Sequence, residues 1–136
     1  MSFLFGQEHV RRYQETDGEE GFVWKEGSTI LLLTTTGRKT GNQSTTPLIF
    51  DFDGDNPVIV ASQGGAPEHP GWYRNIRKNP HVGVQIKGER FAATARDAEG
   101  DERERLWQQM SRMWPHYDEY QARTERLIPV VVLERE

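Results

Sequence analysis

The sequence predicts a mainly β protein with helices inserted: a small closed or split barrel of about six antiparallel strands. Three observations predict it. Six short runs rich in β-branched and aliphatic residues recur between Ser28 and Glu134. Connections such as "DGD" (53–55) and "KGE" (87–89) are of hairpin length. Helical patterns interrupt the strands at only two places, which disfavours a doubly wound sheet.

The elements follow in order. Residues 1–20 are polar, with Leu4, Phe5, Val10 and Tyr13 on a loosely helical spacing. They form an N-terminal helix or a mobile arm preceding a barrel domain over residues 21–136. "STILLLTTT" (Ser28–Thr36) is a buried strand. "TTPLIFDF" (Thr45–Phe52) and "PVIVAS" (Pro57–Ser62) are the next two. After "GG", a helix starts with Pro70 in its first turn. Trp72 and Ile76 stand four apart and face inward, and Pro80 stops the helix. "HVGVQIKG" alternates, with Val82, Val84 and Ile86 on one face, and "RFAATARDA" pairs with it. "GDERERLWQQMSRMW" is an amphipathic helix capped by Asp101, with a stripe of Leu106, Met110 and Met113. A short helix restarts after Pro115, and "IPVVVLE" is the last strand.

The chain has 136 residues, enough for one domain that buries roughly two-thirds of its unfolded surface. With 17 basic and 21 acidic residues the net charge is −4. A nucleic-acid partner is not expected, because phosphate backbones are held by basic faces. Any anion site must therefore be local. The absence of cysteine excludes disulfides and thiolate metal sites. The N-terminus lacks the basic and apolar regions of a signal peptide, and no apolar run reaches membrane-spanning length. The expectation is a cytoplasmic protein, at most peripheral to a membrane.

Three stretches carry candidate chemistry. In "TTTGRKTGNQSTTP", Gly37 and Gly41 let the backbone turn, Arg38 and Lys39 supply charge, and Thr40, Ser44, Thr45 and Thr46 supply hydroxyls. This is a phosphate or carboxylate clamp, or a solvated hairpin. It is not a P-loop, since the glycine–lysine order differs and strands flank it on both sides. "ASQGGAPEHPGWYRN" passes from strand to helix and can present free N–H groups to an anion or ring edge, or is simply a tight turn. In "WPHYDEY", Trp114, Tyr117 and Tyr120 recur every three residues. They form an aromatic wall for a flat substrate, or pack a helix on the barrel. The four histidines have no metal-ligand spacing, and no nucleophile-elbow motif occurs, so neither a metal site nor a serine hydrolase is expected.

Together, "LLLTTTGRKTGNQSTTPL", "ASQGGAPEHPGWYRNIRKNP" and "MWPHYDEYQARTERLIPVVVLE", in this order and spacing, resemble the deazaflavin-dependent nitroreductase family of actinobacteria, also called F420H2-dependent quinone reductases. The likeness runs from about Thr29 to Glu134. It implies a split barrel similar to the FMN-binding flavin reductases. It also implies coenzyme F420, a 5-deazaflavin with a ribityl phosphate and an oligoglutamate tail. Arg38, Lys39, Thr40 and Gly41 match the family's phosphate-and-tail loop, and Pro47 matches a position against the deazaflavin. Val60, Ala61, Ser62, Gln63, Gly64 and Gly65 match the strand end and turn that meet the ring edge and phosphate. Trp72 and Asn75 match the helix that closes the cofactor site. Trp114, Tyr117 and Tyr120 match three aromatic positions over the substrate pocket.

The chain also departs from the pattern. Ser44 stands where relatives often carry arginine, and Gln63 where some carry an aromatic residue or lysine. Trp114 stands where the nitroreductase active on bicyclic nitroimidazoles has tyrosine. The resemblance implies an oxidoreductase that passes a hydride from reduced F420 to a quinone, with nitroaromatics or enones as secondary acceptors. Tyr117 and Ser62 are the candidate catalytic donors. The alternatives are an FMN-dependent barrel reductase and a non-catalytic F420 carrier. A monomer and a homodimer are both compatible with the sequence.

Overall fold

A computed structural model describes residues 4–136; the start of the expected N-terminal arm, residues 1–3, lies outside the described residues. Strand β1 (Thr29–Thr36) runs antiparallel to β2 (Gln43–Asp53), in register from Thr29 opposite Phe50 to Thr36 opposite Gln43. With β3 (Asn56–Val60), β4 (His81–Ile86), β5 (Glu89–Asp97) and β6 (Val130–Arg135) they close a six-stranded antiparallel barrel. Its order is β1-β2-β3-β6-β5-β4, with β4 pairing back onto β1. Strand β2 starts two positions before the expected Thr45, because Thr35 and Thr36 extend the ladder to Ser44 and Gln43.

Alternation along the strands builds two layers. Leu31, Leu33, Ile59, Val131, Leu133, Val82, Val84 and Ile86 fill the barrel interior. The residues between them face outward but stay covered. Val58, Val60, Val130 and Val132 pack beneath helix α3 (Gly100–Met113) through Leu106 and Met110, and beneath α4 (His116–Ala122) through Tyr117. Ile30 and Leu32 pack beneath helix α1 (Gly6–Thr16) through Val10 and Tyr13. Covering on both faces explains why "ILLL" and "VVVL" read as continuous apolar runs rather than alternating ones. The fully buried Tyr13 fixes α1: its hydroxyl donates to Ile30 O at 2.9 Å and accepts from Lys87 N at 2.8 Å.

Two helix starts differ from expectation. Asp101 lies inside the first turn of α3 and caps nothing; Glu99 holds the N-cap position without a side-chain bond. The Ala98 N–H is still tied to Val130 O, and Gly100 turns the chain at φ +59°, so a glycine corner replaces the side-chain cap. Pro70 is the N-cap of α2 (Gly71–Lys78), one residue before the first turn. In the α3 stripe Met113 is half-buried, and the next residue, Trp114, takes the buried position.

Candidate active site

The barrel is paired unevenly, and its gap makes the site. Strands β2 and β3 pair only over Asp51–Asp53 and Asn56–Val58. Along the rest of β2 the side away from β1 has no strand partner among the described residues, and a proline, lacking an N–H, is tolerated on such an edge at Pro47. A cavity of about 370 Å³ occupies this opening. Pro47, Leu48 and Ile49 of β2 form one wall, and Val60, Ser62 and Gln63 form another. Trp72 of α2 lies at one end, and Trp114, Tyr117 and Tyr120 cover it. Leu4, Phe5, His9 and Trp24 complete the lining. The size and apolar walls suit a small planar ligand.

The turn after β3 supplies polar groups to this cavity. Ser62 is right-handed helical (φ −81°, ψ −41°), and Gln63, Gly64 and Gly65 all have positive φ, at 45°, 63° and 83°. A right-handed residue followed by left-handed ones turns successive N–H groups to one side, forming an anion-binding concavity. Among the described residues, the N–H groups of Ser62, Gln63 and Gly64 have no protein acceptor, whereas those of Gly65 and Ala66 close the turn onto Ser62 O and Gln63 O. Gly65 sits so close to α4 that a Cβ there would lie 2.6 Å from Tyr120 O. The turn and the aromatic helix are therefore packed backbone to backbone.

The second donor group is the hairpin turn between β1 and β2. Thr36, Gly37, Arg38, Lys39, Thr40 and Gly41 surround an open pocket together with Lys78 and Asn79 from the end of α2. Asn75 organises it. Its Oδ1 accepts from Arg38 N at 3.2 Å and from the Arg38 guanidinium at 2.9 Å, while its Nδ2 donates to Thr35 Oγ1 at 3.0 Å. Lys78 Nζ donates to Arg38 O at 2.9 Å. Trp72, Asn75 and Lys78 are three apart on one helix face. Helix α2 thus places a ring in the cavity, an amide at the loop's base and an ammonium in the loop's pocket.

The aromatic wall is built on two elements rather than one: Trp114 is the C-cap of α3, while Tyr117 and Tyr120 belong to α4. Trp114 Nε1 donates to Tyr120 Oη at 3.4 Å, and its ring stands 5.8 Å from that of Trp24. The Tyr117 hydroxyl has no hydrogen-bond partner among the described residues, yet its oxygen is not sealed off. Burial pushes the Tyr117 phenol above its ordinary range, so it stays protonated and available as a donor. Ser62 Oγ likewise lines the cavity without a protein partner among the described residues. Beside Trp114, with ring centroids 4.7 Å apart, His116 bridges Glu26 at 2.8 Å and Glu119 at 2.9 Å, and these carboxylates, Glu26 foremost, raise its pKa.

Of the sequence-predicted residues, Pro47, Val60, Ser62, Gln63, Trp72, Trp114, Tyr117 and Tyr120 meet at the cavity. Arg38, Lys39, Thr40 and Gly41 form the separate basic pocket, and Asn75 links the two regions through α2. Ala61 is buried in the barrel core, Gly64 is exposed, and Gly65 packs on α4. Ser44 is exposed on β2 opposite Thr35 and lines neither pocket. Sequence reading missed Lys78, which its helical spacing from Asn75 could have revealed. It also missed His9, Trp24 and Arg126, which no local pattern marks.

The profile of the F420H(2)-dependent quinone reductase family matches residues 5–135. An F420H(2)-dependent quinone reductase of Mycobacterium tuberculosis is 42% identical over 130 residues, covering 93% of this chain and 87% of that protein. A solved F420-H2 dependent reductase is 44% identical, with a TM-score of 0.72 over 77% of this chain and 93% of its own. A second solved chain, described as a domain-swapped dimer, is 40% identical, with a TM-score of 0.75 over 94% of this chain and 96% of its own. A pyridoxamine 5'-phosphate oxidase-type structure from Listeria innocua, 18% identical with a TM-score of 0.55, shares the fold alone. The chain belongs to the F420H2-dependent quinone reductase family: it is an oxidoreductase, and its cofactor is coenzyme F420.

Proposed function

We propose that this reductase holds the F420 ring in the cavity, between Pro47 and the turn at Ser62–Gly64, and its phosphate and acidic tail at the Gly37–Gly41 loop. The donors present fit such a ligand. The unpartnered N–H groups of Ser62, Gln63 and Gly64 suit a ring edge or phosphate oxygen, and Arg38, Lys39 and Lys78 suit carboxylates. When bound, F420 supplies a hydride from C5 of its deazaflavin. The chain's own residues position and shield. Trp72, Trp114 and Ile49 exclude water from a flat acceptor, and Val60 and Pro47 fix the depth of the cavity.

Reduction of a quinone places negative charge on one of its oxygens. Tyr117 Oη, protonated and unpartnered, is the donor we assign to that charge, with Ser62 Oγ as the second. Solvent at the cavity mouth supplies the final proton. Nitroaromatics and enones are proposed as secondary acceptors; Trp114 offers them an indole N–H but no hydroxyl, and that N–H is engaged by Tyr120. The observation that carries the reading is that Ser62 and Gln63, whose N–H groups are free among the described residues, and Tyr117, whose hydroxyl is unpartnered among them, line one largely apolar cavity.

The test is a titration of the protein with F420 and, separately, with FMN, followed by tryptophan quenching, since Trp24, Trp72 and Trp114 all line the cavity. Reduced F420 and menadione are then added and oxidation is followed by absorbance. Quenching by F420 with menadione-dependent oxidation is expected. Preference for FMN, or binding without turnover, would contradict it and return the FMN reductase or the carrier. For assembly we infer a homodimer, on the relative described as a domain-swapped dimer; light scattering at monomer mass would contradict it. No helix among the described residues can cross a membrane. Peripheral contact is proposed on Phe5, 59% exposed beside the mouth, and flotation with anionic vesicles tests it.

A further inference from the structure

Arg126 lies between α4 and β6, some sixty positions from the turn that follows β3, yet it holds that turn from behind. Its guanidinium donates to Ala61 O at 3.2 Å, to Ser62 O at 2.6 Å and, through Nε, to Ala66 O at 2.8 Å. A fourth bond runs to His69 Nδ1 at 3.1 Å. Arginine has only donors, so this nitrogen accepts and the ring proton resides on Nε2. Burial, then the neighbouring Arg126 charge, lower the His69 pKa, which keeps the ring neutral and able to accept.

The consequence follows from peptide geometry. In a planar trans peptide the carbonyl and the next N–H point in opposite directions. Drawing the carbonyls of Ala61 and Ser62 toward Arg126 therefore turns the N–H groups of Ser62 and Gln63 away from it, and both residues line the cavity. The left-handed backbone of Gln63, a non-glycine residue, persists only where its surroundings over-determine it. The guanidinium fork across three carbonyls, with Gly65 seated on Tyr120, supplies that constraint.

We propose that Arg126 is a positioning residue of the reductase, orienting the N–H groups of Ser62 and Gln63 toward the ligand and tying their turn to the segment that leaves the aromatic helix. The proposal rests on the reading that the turn contacts F420. Lysine cannot replace the residue, because one ammonium on a flexible stem does not reproduce a planar fork.

The experiment compares wild type, Arg126→Lys, Arg126→Ala and, as a stability control, Val82→Ala in the barrel interior, by F420 titration and thermal denaturation. Wild-type binding comes first: if F420 does not bind, the functional reading fails rather than this one. Given wild-type binding, Arg126→Lys is expected to weaken F420 about tenfold, the scale of a lost charge-assisted hydrogen-bond set. Arg126→Ala should be weaker still and partly rescued by low millimolar guanidinium. Val82→Ala should lose thermal stability while keeping its F420 affinity. A folded Arg126→Lys with wild-type affinity would overturn the proposal. So would a Val82→Ala protein that loses as much affinity at the same loss of thermal stability.

Discussion

Two glycine turns carry the candidate anion-binding groups, and they are held in opposite ways. The hairpin turn Gly37–Gly41 stands in solvent: Lys39, Thr40 and Gly41 are exposed, and a Cβ on Gly41 would meet nothing within 4 Å. It is anchored at its base by Asn75 and Lys78. The turn at Ser62–Ala66 is clamped between Arg126 and the backbone of α4, and a Cβ on Gly65 would strike Tyr120. On the proposed placement of F420, the difference is a division of labour. A long, flexible, multiply charged tail needs charge within reach rather than fixed geometry. A ring that must meet an acceptor at bonding distance needs fixed donors.

The largest test of this contrast is glycine substitution. Gly65→Ala combines a left-handed backbone with a clash against backbone atoms, and should cost about 2–5 kcal/mol of stability. Gly41→Ala meets open space at φ +77° and should cost only about 1–2 kcal/mol. Thermal denaturation of both variants checks the ordering; equal losses would break the comparison. Next, joint replacement of Arg38 and Lys39 by Ala should raise the F420 dissociation constant by about thirtyfold at low salt, shrinking as salt rises. A titration series in sodium chloride reads this directly.

Tyr117→Phe should lower kcat about tenfold, the scale of one donor to a developing charge, and leave F420 affinity unchanged. Steady-state kinetics beside a binding titration separates the two; a collapse of cofactor affinity would place Tyr117 against the cofactor instead. The smallest effect concerns His116. Its pKa is raised by Glu26 and Glu119, so its contribution is fully present below the unfolded value of about 6.5 and fades as pH rises through the raised folded value. The difference in melting temperature between wild type and His116→Gln should therefore be greatest in mild acid and close toward alkaline pH. A gap that widens with pH would reverse the assignment.

The succession of strands and helices along the chain was legible because the apolar runs are strong and the connections short; the strand order around the barrel was not read. That Trp114, Tyr117 and Tyr120 lie together was legible too, since Tyr117 and Tyr120 share one helix and Trp114 precedes it by a single proline; whether they wall a substrate or pack a helix was left open by the residues alone. What escaped was long-range support. Arg126 meets Ala61 and Ser62 across 64 or more positions, and nothing in "RTERLIP" distinguishes it from a solvated cation. Trp24 and His9 reach the cavity because α1 and the segment after it fold back over the barrel, which a weakly periodic polar stretch does not announce. Asp101 misled because a helix start can be set by a glycine corner as well as by a capping side chain.

The most direct measurement compares intact F420 with the deazaflavin riboside that lacks phosphate and tail, each titrated into wild type and into the Arg38→Ala, Lys39→Ala double variant. The division of labour predicts that the double substitution weakens intact F420 strongly and leaves riboside affinity unchanged. Equal weakening of both ligands would show that the hairpin loop shapes the ring site itself, and would contradict the account.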